Sequence, residues 1–331
     1  MRRSTLTVKK HSNRFAFAGL ELAWAIGCGG TSGGSADSAL PPPPEAAAQE
    51  ASGPALPYCT DKSAHSGVTD LSGTWVARLV GSQNVKAPGV GIFQVRSVYY
   101  LLLDVSQYGT EVVVDGRYCD RTEIDPPTSV APVLIPDAWG HLESPVHRTG
   151  VFAAGSDGIP VLSLSSKVEN GGVEVFGATL ANPDTDRLPT DISDVRLADI
   201  DSDGHPGLTV CLGGLMQGSC LYTVQRQSTA ITAIPVASDR VEGALAFSSS
   251  QNVLASNSTN VVALYQSSTI LPDPTPCNSS FAMVRISAGA ASVDAGAVDA
   301  AGVDGGSAVD GGGAVGCAWV RDHEANLFPA P

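Results

Sequence analysis

The stretch that decides the fold is Phe93-Gln94-Val95-Arg96-Ser97-Val98-Tyr99-Tyr100-Leu101-Leu102-Leu103-Asp104-Val105, with its turn Ser106-Gln107-Tyr108-Gly109 and its return Glu111-Val112-Val113-Val114-Asp115-Gly116-Arg117-Tyr118. It is rich in β-branched and aromatic residues, which fit a pleated surface. Two such runs about a Gly-containing turn predict a β-hairpin. Side chains alternate across a strand, so Tyr99, Leu101, Leu103 and Val105 share one face. Tyr100 and Leu102 share the other with Asp104, so both faces are partly apolar.

Outward from the hairpin the pattern repeats. Residues 71–80 predict a strand with Trp75, Ala77 and Leu79 on one face and Thr74, Val76 and Arg78 on the other. Residues 151–164 read as two strands about Gly155-Ser156-Asp157-Gly158. Further strands are expected at 173–180 and 208–212. A second hairpin is expected from 221–226 and 230–236, turned at Gln227-Ser228-Thr229. Strands follow at 241–247, 253–256, 261–266 and 281–286, and Cys317-Ala318-Trp319-Val320-Arg321 reads as a last one. No useful stretch has a helical period. The expectation is an all-β sandwich, barrel or propeller-like domain of short antiparallel strands over residues 58–286, with a final strand and tail at 317–331.

The flanks have another character. Residues 1–27 carry a basic lead (Arg2, Arg3, Lys9, Lys10, Arg14) and an apolar segment too short for an ordinary membrane span, which is the composition of an export signal. Residues 28–57 are rich in Gly, Pro and Ala and read as a disordered tether. Residues 287–316 repeat Val-Asp among Ala and Gly, an acidic low-complexity insert. The net charge is −14, and residues 1–27 hold five Lys/Arg and one Glu, so the exported chain carries −18. That excess of negative charge argues against nucleic acid as a partner.

Six cysteines remain beyond Cys28, an even count suited to disulfides in an exported chain. Cys211 and Cys220 bracket a short Gly-rich segment and are the first expected pair. Cys277 with Cys317 is the second, and Cys59 with Cys119 is left over.

The densest chemical signal is Asp199-Ile200-Asp201-Ser202-Asp203-Gly204-His205. Alternating carboxylates converge when such a loop curls, and Gly204 supplies the positive φ. Hard oxygen donors of this kind suit calcium, with the His205 carbonyl as a further donor. No H-E-x-x-H or local nucleophile–His–acid signature accompanies it, so a catalytic site would have to be assembled from distant residues, and an enzyme is the less favoured expectation.

Four resemblances add to this reading. Ala25-Ile26-Gly27-Cys28 resembles the lipobox of bacterial lipoproteins, which implies lipid on Cys28 and anchorage in the cell envelope, at the outer membrane in a Gram-negative cell. The low-complexity tract resembles those of myxobacteria. Gly73-Thr74-Trp75 resembles the opening of lipocalin-like and avidin-like barrels, where the Trp plugs the floor; it implies a cavity near Trp75, Tyr99 and Leu101 for a small apolar ligand. Residues 195–210 resemble a calcium loop of FG-GAP/VCBS repeats, with Gly207 in place of the last Asp. The functional expectation is a surface-tethered envelope lipoprotein with a binding or structural role. The alternatives are a lipocalin-like small-ligand binder, an adhesion or propeller-type module and, behind these, a hydrolase; the partner would be a protein, a polysaccharide or a small apolar ligand.

Overall fold

The 93–118 hairpin is present in the computed structural model, which describes residues 58–65, 67–87, 91–124, 132–266, 268–286 and 315–329. Its strands are β2 (Gly91–Tyr108) and β3 (Glu111–Ile124), preceded by β1 (Gly73–Ala87). After them come β4 (Val133–Leu134), the short helix α1 (Asp137–Gly140), β5 (Pro145–Ala154), β6 (Pro160–Leu164), β7 (Val173–Phe176) and β8 (Leu208–Leu212). The chain continues through β9 (Cys220–Ala237), β10 (Arg240–Ser256), α2 (Thr259–Gln266), β11 (Thr269–Pro272), β12 (Ser280–Arg285) and α3 (Cys317–Leu327).

Every pairing between strands is antiparallel, and the ladder closes on itself. The order is β1–β2–β3–β5–β6–β9–β10–β12, and β12 returns to β1 with Trp75 opposite Arg285. This is an eight-stranded up-and-down barrel, so the barrel alternative holds and the propeller alternative falls. Closure removes the open edges that a sheet would expose. Inward positions alternate as the pattern predicts: Trp75, Ala77 and Leu79 on β1 meet Leu101, Leu103 and Val105 on β2 in one apolar core. Outward positions such as Asp115, Arg117 and His147 are polar.

The second apolar face of the hairpin has a separate explanation. Helix α3 lies over it, and Val320 and Phe328 bury against Val76, Leu102 and Cys119. The strand expected at residues 317–321 is therefore corrected to a helix. Its apolar contacts fall at Cys317 and Val320, a helical spacing that five residues were too few to reveal. The strand expected at 261–266 is likewise helical, within α2.

Several strands are also longer than expected. The turn at Gln227-Ser228-Thr229 does not exist, and β9 runs through it for 18 residues. Gln227 and Thr229 are buried, and their polar groups meet Tyr99 and Arg148, so polarity here marks an internal layer and not a loop.

Two of the three cysteine pairings are corrected. Cys211–Cys220 forms as expected, between facing residues of β8 and β9. The others are Cys59–Cys277 and Cys119–Cys317, across 218 and 198 residues. Closure of the barrel brings the N-terminal segment to the β11–β12 connection, and docking of α3 on the outer wall brings Cys317 to β3. Sequence proximity has no part in either. The export signal, Cys28, the tether and residues 287–314 lie outside the described residues.

Candidate functional site

The acidic loop is an excursion from one edge of β9. The chain leaves the sheet after Phe176, opposite Gln225, and returns at Leu208, opposite Thr223. The two ends touch: a Cβ on Gly177 would lie 2.8 Å from Gly207 Cα, and one on Gly207 would lie 2.4 Å from the Thr223 carbonyl oxygen. Gly207 also has φ +99°. No aspartate fits there, so this position cannot add a further carboxylate to the loop. Leu180 and Leu188 pin the excursion by packing on Val224 and Leu254.

Within the loop the three carboxylates converge, with one oxygen from each of Asp199, Asp201 and Asp203 within 4.8 Å of the others. Asp199 accepts the Gly204 N–H at 2.9 Å, and Asp203 accepts the His205 N–H at 2.8 Å and the Thr209 hydroxyl. Asp201 is only 6 % exposed. Its Oδ2 accepts the Thr209 N–H at 2.8 Å, while its Oδ1 is buried with no hydrogen-bond partner. Burial, with the Asp203 and Asp199 carboxyls beside it, raises its pKa. A buried carboxylate oxygen without a partner is costly, and a cation among three carboxylates offsets that cost. The His205 ring stacks on Tyr222 with centroids 3.9 Å apart, so the side chain is engaged there.

The residues expected to line a cavity are all buried in the barrel, but only Leu101 borders an internal void. That void is about 20 Å³, room for roughly one water. Trp75 is fully buried at the floor, donates to the Leu71 carbonyl at 2.8 Å and carries the Arg285 guanidinium 4.7 Å over its ring. The Tyr99 hydroxyl accepts from Gln227 at 2.5 Å. Eight strands leave an interior that side chains can fill, and here they fill it.

Sequence reasoning missed a second constellation. β5 and β6 are short, so the wall between β3 and β7 has a gap, and the Tyr118 hydroxyl bridges it by donating to Glu174 Oε2. Burial raises the pKa of both groups. Two buried arginines flank the bridge. Arg121 lies 4.3 Å over the Tyr118 ring and donates to the Trp139 and Leu142 carbonyls at 3.3 and 2.5 Å. Arg148 donates to the Thr229 carbonyl at 2.6 Å and the Ser165 carbonyl at 3.1 Å. Outside the gap is an open groove of about 510 Å³. The available signal was Arg148, which falls in phase with the inward Val146 and Phe152; a charge in an apolar phase marks a buried polar site.

Fold and loop together define a closed, disulfide-stapled antiparallel barrel with an acidic loop that could hold a metal ion. No protein-family model, no curated protein and no solved structure matches the chain. Among the described residues no helix is long and apolar enough to cross a membrane.

Proposed function

We propose that the chain is an exported lipoprotein, anchored in the cell envelope through Cys28, whose barrel serves a binding or structural role and whose Asp199–Asp203 loop is fastened by calcium. The observation that carries the cation reading is the buried, unpartnered Asp201 Oδ1 beside two further carboxylates. Three disulfides agree with an oxidising, calcium-rich exterior. Calcium here is structural: it ties the excursion between β7 and β8 to β9, next to the Cys211–Cys220 bridge.

Calcium at a hundred times its Kd should stabilise the exported domain by about 2.7 kcal/mol, read as a rise in melting temperature. Asp201→Ala should remove that rise. Identical melts with calcium and with chelator would reject the cation. Replacing Cys28 with Ser should move the protein from the detergent phase to the aqueous phase; unchanged partitioning would reject the anchor.

The lipocalin-like reading has the closed barrel and the buried Trp75 in its support. Its central cavity does not have the volume, because small-molecule sites span about 300–1,000 Å³. A ligand of this barrel belongs elsewhere on the wall.

A further inference from the structure

We propose that the groove over the wall gap between β3 and β7 binds an uncharged amphipathic small molecule, one with an apolar body and a single O–H or N–H donor directed at Glu174. The groove's walls come from three places. Leu142 and Pro145 lie on the β3–β5 side, Val175 and Phe176 belong to β7, and Ile200 projects from the acidic loop. These surfaces are apolar, and about 510 Å³ is within the range of small-molecule sites.

The back of the groove is polar at one point. Glu174 Oε2 is taken by the Tyr118 hydroxyl. Glu174 lines both this groove and the internal void, and among the described residues its carboxylate takes no side-chain hydrogen bond other than that of Tyr118. Ser144 and Glu143 also line the groove, but Glu143 is exposed and paired with Arg117, so Glu174 is the deeper acceptor that fixes a ligand's orientation.

Charge then selects the class. Arg121 and Arg148 lie behind Glu174 and more than balance its charge, so a cation gains little there and is repelled by two guanidinium groups. An anion meets the Glu174 and Glu143 carboxylates on the groove lining before it can reach the guanidinium groups, which do not line the groove. A neutral donor avoids both penalties and takes a charge-assisted hydrogen bond in a partly desolvated site.

The test uses 2-naphthol and its methyl ether 2-methoxynaphthalene, titrated into the full-length protein and followed by naphthalene fluorescence. They share an apolar body, and only the first has a donor. The expected result is saturable binding of both, with 2-naphthol about tenfold tighter, the worth of roughly one such hydrogen bond. Glu174→Met should abolish that preference and leave 2-methoxynaphthalene within about twofold of its wild-type affinity, and Ile200→Trp should weaken both by at least about tenfold. Absence of saturable binding, equal affinity for the two probes, or indifference to Ile200→Trp would each overturn the proposal. If Glu174→Met fails to fold by circular dichroism, methyl resonances of the wild-type protein decide: shifts on adding 2-naphthol must include Leu142, Val175 and Ile200, and shifts confined elsewhere overturn it.

Discussion

The floor of the barrel and the gap in its wall are built from opposite materials. At the floor, β1 and β12 pair in register, and Trp75 is buried in the barrel core with the Arg285 guanidinium over its ring. The group is fully buried, and its one polar hydrogen is satisfied by Leu71. At the gap, backbone pairing stops and side chains take over: the Tyr118–Glu174 hydrogen bond spans the space, held between Arg121 and Arg148. The floor gains its stability from apolar area removed from water, about 25 cal/mol per Å². The gap contains charges whose desolvation cancels much of what their pairing returns. A protein that needed only a stable barrel would extend β5 and β6 across this space.

The largest effect should come from the staple at the edge of the gap. Cys119 follows Tyr118 directly and is tied to α3 through Cys317. Replacing both with Ser should cost about 5 kcal/mol in a urea titration, against about 3 kcal/mol for the Cys211/Cys220 pair, because the closed loop is some twentyfold longer. Equal losses would mean that the staple contributes only locally. Trp75→Ala comes next, at about 4 kcal/mol, with the calcium response retained. A loss below about 1 kcal/mol would show that the floor is not the anchor, and a lost calcium response would show that the two ends are not independent.

The smallest effect is a pH dependence at the helix over the staple. Burial, with the Asp120 carboxyl of β3 beside it, pushes Glu324 on α3 up to about 7. Tyr100 of β2 also faces Glu324, and His141 Nε2 lies 3.7 Å from Asp120. A carboxyl whose folded pKa is raised adds stability below its unfolded pKa, near 4.5, and that stability is lost as pH rises through about 7. The melting temperature should therefore fall between pH 5 and pH 8, and Glu324→Gln should flatten the fall. A flat wild-type profile would remove Glu324 from the account.

Local alternation was legible along the chain. The 93–118 hairpin and the strand holding Trp75 were expected with the correct inward faces, because side-chain direction depends only on a period of two. The acidic loop was also legible, since its three carboxylates are close in sequence before they are close in space. The long β9 was not. Gln227 and Thr229 look like turn residues until Tyr99 and Arg148 stand opposite them inside a closed barrel. Helix α3 was missed because half of what makes it amphipathic is the apolar outer face of β1 and β2, some 220 residues away in sequence.

The sequence by itself determined an all-β domain, six cysteines beyond Cys28 and one acidic loop. These follow from composition and from neighbours a few residues apart. Only the tertiary structure decided that the sheet closes as an eight-stranded barrel, which cysteines meet, and that Glu174, Tyr118, Arg121 and Arg148 gather at a gap. Those outcomes depend on strand register and on packing between segments more than two hundred residues apart. No local pattern carries that information, because the contacts do not exist until the chain has closed.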